Sequence, residues 1–97
     1  MLILRTVARR GTIHGFDIAE AIARGSSDLF QVGEGSLYPA LQRLLIKGWL
    51  VGQWGRTPEN RRARYYEITR IGRKHLAHEL ESYQRVTDAI AAVLRPA

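Results

Sequence analysis

"EGSLYPALQRL" (residues 34–44) decides the reading of this chain, because it sets a proline among helix formers and flanks it with a serine and a tyrosine. With Ser36 as N-cap, Leu37 and Tyr38 take the first two helical positions and Pro39 the third, where a backbone N–H has no intrahelical acceptor. Proline is tolerated there, and its fixed φ suits a first turn. Leu41, Leu44 and Leu45 then share a face, Gln42, Arg43 and Lys47 point elsewhere, and Gly48 ends the helix. The spacing predicts a helix with a rigid N-terminus that carries two hydroxyls.

Downstream, "WLVGQW" (49–54) and "RARYYEIT" (62–69) are rich in aromatic and β-branched residues, and the turn formers Pro58 and Asn60 lie between them. They predict a β-hairpin with a long basic tip, Tyr66 and Ile68 on one face and Tyr65 and Glu67 on the other, so that one face can lie on the helices. Thr69 is expected to cap a last helix through about Leu94. There Leu76, Leu80, Tyr83, Thr87, Ile90 and Leu94 recur at alternating spacings of four and three, with Val86 and Val93 alongside. A helix of roughly 40 Å exceeds what one small domain needs, so its distal half is expected to pack on a second copy of the chain.

Upstream, residues 2–10 read as a helix with Leu2, Ile3, Val7 and Ala8 mostly at helical spacing and Gly11 after it. This helix starts at Met1 with no capping residue, and its natural beginning is expected further upstream. A second helix, opened by Thr12 or His14, runs to about Ala23. Its expected buried side is Phe16, Ile18, Ala19, Ile22 and Ala23, with Asp17 near the positive N-terminal end. Gly25, Ser26 and Ser27 close it, and Leu29, Phe30 and Val32 are expected to cover the edge of the core.

The 97 residues suit one core, and the net charge of +6 is concentrated: residues 36–74 hold nine cations against two anions, while the flanking segments are close to neutral. A basic total alone is weak evidence for a nucleic-acid partner; its concentration around one helix and one hairpin is stronger. Cysteine is absent, which excludes disulfide scaffolds and thiol chemistry and fits a cytoplasmic protein. "MLILRTVARR" (1–10) is apolar for too few positions to be a signal or a membrane span, so no membrane partner is expected. "GEGS" (33–36) lacks the lysine and preceding strand of a phosphate loop, and no cofactor is expected. His75 and His78, three apart with no third ligand in view, read as a solvated face rather than a metal site. Ser36 has no evident histidine partner, although sequence leaves open an approach by His14, and no acid–base dyad is in view; the chain is not expected to be an enzyme. Trp49 and Trp54 read first as packing residues.

Three helices followed by a two-stranded hairpin is the order of a winged helix-turn-helix, in which the third helix enters the major groove and the hairpin reaches the phosphates. The fold class expected is therefore mainly α with a small β-hairpin, a winged helix-turn-helix plus a long C-terminal dimerisation helix. "HGFDIAEAI" (14–22), "EGSLYPALQRLLIKGWL" (34–50) and "RYYEITRIGRKHL" (64–76), with the basic wing between the last two, together resemble the N-terminal domain of PadR-family transcriptional regulators over nearly the whole chain. The single C-terminal helix looks like the family's short type. The resemblance implies a homodimeric repressor of an inverted-repeat operator in double-stranded DNA, released by a small aromatic effector. It implies a DNA-binding domain over 1–68 and a dimerisation helix over 69–97. The DNA-facing set expected is Ser36, Leu37, Tyr38, Pro39, Gln42, Arg43 and Lys47 on the recognition helix, with Arg56, Arg61, Arg62 and Arg64 on the wing. The expected dimer seam is Leu2, Leu76, Leu80, Tyr83, Val86, Thr87, Ile90, Val93 and Leu94. The alternative reading is a small-molecule sensing or protein-interaction module, with Trp49, Trp54 and the dimer seam as an aromatic-binding surface and DNA contact secondary.

Overall fold

The computed structural model describes residues 1–96. Helix α1 (Leu2–Arg10) buries Leu4 and Val7 and stops at Gly11, whose N–H donates to the Val7 carbonyl at 2.9 Å. A two-residue strand, β1 (Ile13–His14), leads directly into α2 (Gly15–Gly25), with His14 as N-cap. The recognition-helix candidate is α3 (Glu34–Ile46), the hairpin is β2 (Leu50–Arg56) and β3 (Arg62–Ile68), and α4 runs from Arg70 to Leu94. The sheet has three strands in the order β1-β3-β2, all antiparallel. β1 leaves no sequence signal because two residues cannot show a period; Ile13 is buried opposite Tyr66, and the Thr12 hydroxyl donates to Glu67 at 2.7 Å.

The core is one cluster: Leu4, Val7, Ile13, Ile18, Ile22, Leu37, Leu41, Leu50, Tyr66, Ile68 and Leu76. On the hairpin the predicted alternation holds, with Tyr66 and Ile68 buried and Glu67 exposed. On α2 it holds only in part. Ile18 and Ile22 are buried one turn apart, but Phe16 lies on the opposite side and is 65% exposed. Leu29 and Phe30 are also exposed rather than covering the core, and of that loop only Val32 packs against it.

Two junctions fix the hairpin between α3 and α4. After α3, Gly48 takes a φ of +77, its N–H donates to the Leu45 carbonyl at 3.0 Å, and the Trp49 N–H donates to the Leu44 carbonyl at 3.1 Å. This pair of bonds is a Schellman ending, and it turns the chain straight into β2. Before α4, the Thr69 hydroxyl accepts from the Gly72 N–H at 2.9 Å and donates to the Gly48 carbonyl at 2.7 Å, so the predicted cap also ties the two junctions together. Gly72 sits so close to β2 that a Cβ there would meet the Trp49 carbonyl oxygen at 2.1 Å. Leu76 is fully in the core of its own protomer, which removes it from any dimer seam, and Leu80 packs against that core from its edge. Beyond Leu80, α4 leaves the body.

Candidate nucleic-acid interface

Helix α3 begins three residues earlier than its sequence suggests. Gly33, in extended backbone, is the N-cap, and Ser36 lies within the first turn with its hydroxyl uninvolved in capping. Pro39 is therefore inside the helix, where it removes the N–H that would donate to the Gly35 carbonyl. The Ser36 and Leu37 N–H groups both turn back to the Gly33 carbonyl, at 3.1 and 2.9 Å, so the first turn closes tightly on itself ahead of the proline. The backbone at 33–36 is exposed, which lets water or a ligand reach the freed groups. Leu37 is 2% exposed and belongs to the core, so its side chain anchors the helix and is not a DNA contact. Ser36, Tyr38, Pro39, Gln42, Arg43 and Lys47 are all exposed, as a groove-facing helix requires.

The wing holds four arginines, and none of them joins the ion pairs of the described residues, which are His14–Asp17, Glu20–Arg24 and His75–Glu79. Its tip is ordered by the Thr57 N–H donating to the Arg61 carbonyl and the Asn60 N–H to the Thr57 carbonyl, both at 2.8 Å, with Asn60 at a φ of 62. Arg56 also donates to the Asn60 carbonyl at 3.3 Å, and the Tyr65 hydroxyl donates to the Arg56 carbonyl at 3.2 Å. The two tryptophans part company. Trp49 is packed, stacked on His75 at 3.6 Å between ring centroids, with the Lys47 ammonium 4.7 Å from its ring. Trp54 is 60% exposed, with Arg62 at 4.4 Å and Arg64 at 6.0 Å over its ring, so it is a surface platform for arginine rather than a packing residue.

Between α3 and the wing lies an open cleft of about 840 Å³. Tyr38 and Gln42 form its helical wall, one turn apart, and Trp54, Arg61, Arg62 and Arg64 form its wing wall. Its floor brings in residues that sequence reasoning assigned elsewhere: His14, Phe16 and Asp17 from the entrance of α2. His14 Nε2 lies 3.1 Å from Asp17 Oδ2, so it pairs with its own helix rather than with Ser36. Phe16 could have been found by rotating the α2 stripe until Gly15, Ile18 and Ile22 coincide, which leaves position 16 facing out. Burial pushes the Tyr66 phenol above its ordinary pKa, the Arg64 guanidinium draws it back, and Tyr38 adds slightly to the rise. A cleft with cations on one wall and hydroxyl and amide groups on the other is suited to anions, and cleft and helix face together present donors for both phosphates and base edges.

This arrangement of an exposed helix face beside a basic hairpin, on a body of three helices, defines a winged-helix DNA-binding protein. Residues 3–78 match the model of the transcriptional regulator PadR-like family, and the chain belongs to that family. A transcriptional regulator from Clostridium thermocellum has the same fold, with a TM-score of 0.83 at 26% identity over 97% of this chain and 90% of that one. A PadR-like transcriptional regulator from Bacillus cereus superposes with a TM-score of 0.83 at 22% identity, covering 98% and 89% of the two chains. An uncharacterized protein of Lysinibacillus sphaericus is 27% identical over 89 residues, 92% of this chain and 81% of its own. The protein is thus a PadR-family transcriptional regulator acting on DNA, in a family of regulators rather than enzymes, and the fold expected from the resemblance is the fold observed. No helix of the described residues is long and apolar enough to cross a membrane.

Proposed function

We propose that the protein is a homodimeric repressor that binds an inverted-repeat operator, with α3 in the major groove and the wing on the flanking backbone. The observation that carries this reading is Arg61, Arg62 and Arg64, outside the ion pairs of the described residues, facing Tyr38 and Gln42 across one cleft. Arg56, Arg61, Arg62 and Arg64 supply the salt-dependent affinity by displacing counterions from phosphates. Ser36, Tyr38 and Pro39 shape the entrance of the helix, and Gln42 and Arg43 reach base edges, with Lys47 on the backbone. Repression needs no surface beyond this one, because a dimer seated over a promoter excludes the polymerase.

The dimer is supported by the distal half of α4, where Tyr83, Val86, Thr87, Ile90, Val93 and Leu94 stand exposed at helical spacing. Met1, Tyr83 and Val86 line one shallow hollow, and Leu2 is exposed beside Met1, so the apolar surface continues from α4 onto the start of α1. A two-fold axis through this surface would place two α3 helices on one side of the DNA, at half-sites a helical turn or a multiple of it apart. Alanine at both Arg61 and Arg62 is expected to weaken binding to every sequence and flatten its salt dependence by roughly 0.9 per lost phosphate contact. Gln42→Ala is expected to change preference among sequences with the salt slope intact. If the two variants behave alike across sequences, the division of roles is wrong.

A second reading rests on the exposure of Trp54. A small planar aromatic effector stacked on this ring would compete with Arg62 for it and disturb the wing. Tryptophan quenching by a panel of such compounds tests this: saturable quenching abolished by Trp54→Leu supports it, and quenching that survives the substitution removes Trp54 from the role.

A further inference from the structure

Glycine stands at position 52, opposite Tyr66 in the hairpin, and the space where its side chain would be is occupied by Arg64. A Cβ at Gly52 would lie 2.5 Å from Arg64 Nε and 3.1 Å from both Cζ and Nη2. The guanidinium is therefore laid against the bare backbone of β2, with the Trp54 ring 6.0 Å and the Tyr66 ring 5.8 Å from its central carbon. Nε is shielded from solvent and has no hydrogen-bond partner among the described residues, and Arg64 joins none of their ion pairs. Leaving a shielded cationic donor unpaired costs free energy, and the glycine that permits it also gives up side-chain packing in a strand. Arg61 and Arg62, by contrast, are exposed.

Resting on the DNA-binding reading above, we infer that Arg64 is a preset clamp for one backbone phosphate and that Gly52 is the residue that positions it. Arg64 lines the cleft beside Tyr38 and Gln42, so its anion would lie between the groove read by α3 and the backbone under the wing tip. A phosphate rather than a base is the partner because a partly buried guanidinium outside any ion pair gains most from a full negative charge, and the phosphodiesters carry the negative charge of the duplex. A guanidinium already held in place loses less side-chain freedom on binding than the exposed arginines at the tip.

The test is the salt dependence of binding to a duplex of arbitrary sequence, read by fluorescence anisotropy, with thermal unfolding of each variant alongside. Arg64→Gln is expected to lower the slope of log affinity against log salt by about 0.9 for each protomer bound. Gly52→Ala, which fills the seat and displaces the guanidinium, is expected to lower it by the same amount, and the double variant to show no further loss. A purely structural role would reduce affinity or melting temperature without this change in slope. A folded Gly52→Ala protein with the full wild-type slope overturns the positioning role. Should Gly52→Ala fail to fold, Arg64→Gln, which inserts nothing, decides: a full slope there overturns the clamp. Wild-type protein with no salt-dependent binding would overturn the DNA reading itself, an outcome distinct from either of these.

Discussion

At the scale of single residues, neighbouring positions on one helix do unrelated work. Leu37 and Leu41 are core residues one turn apart, and Tyr38 and Gln42, the next residue along from each, line the cleft. Leu41→Ala is expected to cost about 2–5 kcal/mol of stability, measured by denaturant unfolding, while the fraction that remains folded binds DNA as before. Tyr66 gives a pH test. Its phenol ionises above its ordinary value of about 10 because of burial, so the folded state holds that proton where the unfolded chain has lost it. Its contribution is complete below pH 10 and is lost as the pH rises through the raised value. Tyr66→Phe is expected to flatten the fall in stability above pH 10, as followed by urea midpoints across alkaline buffers. Much of the residue scale was legible beforehand: the exposed set Ser36, Tyr38, Gln42, Arg43 and Lys47 follows from helical period and charge. What was not legible depended on backbone meeting backbone or on partners distant in sequence. Arg64 folding over Gly52, and Phe16 turning outward into the cleft that Trp54 also lines, are facts of cross-strand and cross-element register that a linear period does not contain.

Elements behave according to where their ends are fixed. The caps at Gly48 and Thr69 were readable because each uses local chemistry, a positive φ and a hydroxyl three residues before the N–H that it receives. The start of α3 was misplaced because serine is a strong N-cap signal, whereas the structure uses Gly33, whose extended backbone needs no side-chain bond. The consequence is that Pro39 lies inside a continuous helix, just past its first turn. Pro39→Ala restores a donor to the Gly35 carbonyl, and the fold is expected to be retained with stability equal or higher. DNA affinity is nonetheless expected to fall several-fold, since the fixed φ of proline holds the orientation of the helix entrance that bears Ser36 and Tyr38. Unchanged affinity would show that the proline does not set that orientation. The strand β1 was missed for the opposite reason, being too short to have a pattern, although it is what docks the entrance of α2 against the sheet.

The whole molecule is longer than its residue count suggests. Its radius of gyration is 15.7 Å and its extents are 59 × 29 × 21 Å, whereas a compact chain of about 100 residues has a radius near 13 Å. The excess is the projecting half of α4, which carries Tyr83, Val86, Ile90, Val93 and Leu94 on its surface, Val93 at 84% exposure. An apolar arm of this kind is stable in water when something covers it, and a second copy does so symmetrically. Ile90→Glu is expected to give a folded monomer by analytical ultracentrifugation, because the body ends at Leu76 and Leu80 and does not need the arm. A dimer that persists in that variant would place the interface elsewhere.

On the reading proposed above, the wing and α3 together read duplex DNA as one dimeric surface. Anisotropy of a labelled duplex taken from just upstream of the protein's own gene, compared with a scrambled duplex over a range of salt, tests it most directly. Submicromolar preference for the native duplex is expected, with a steep decline of affinity as salt rises. Equal and weak binding to both duplexes by protein that is dimeric in solution would contradict it.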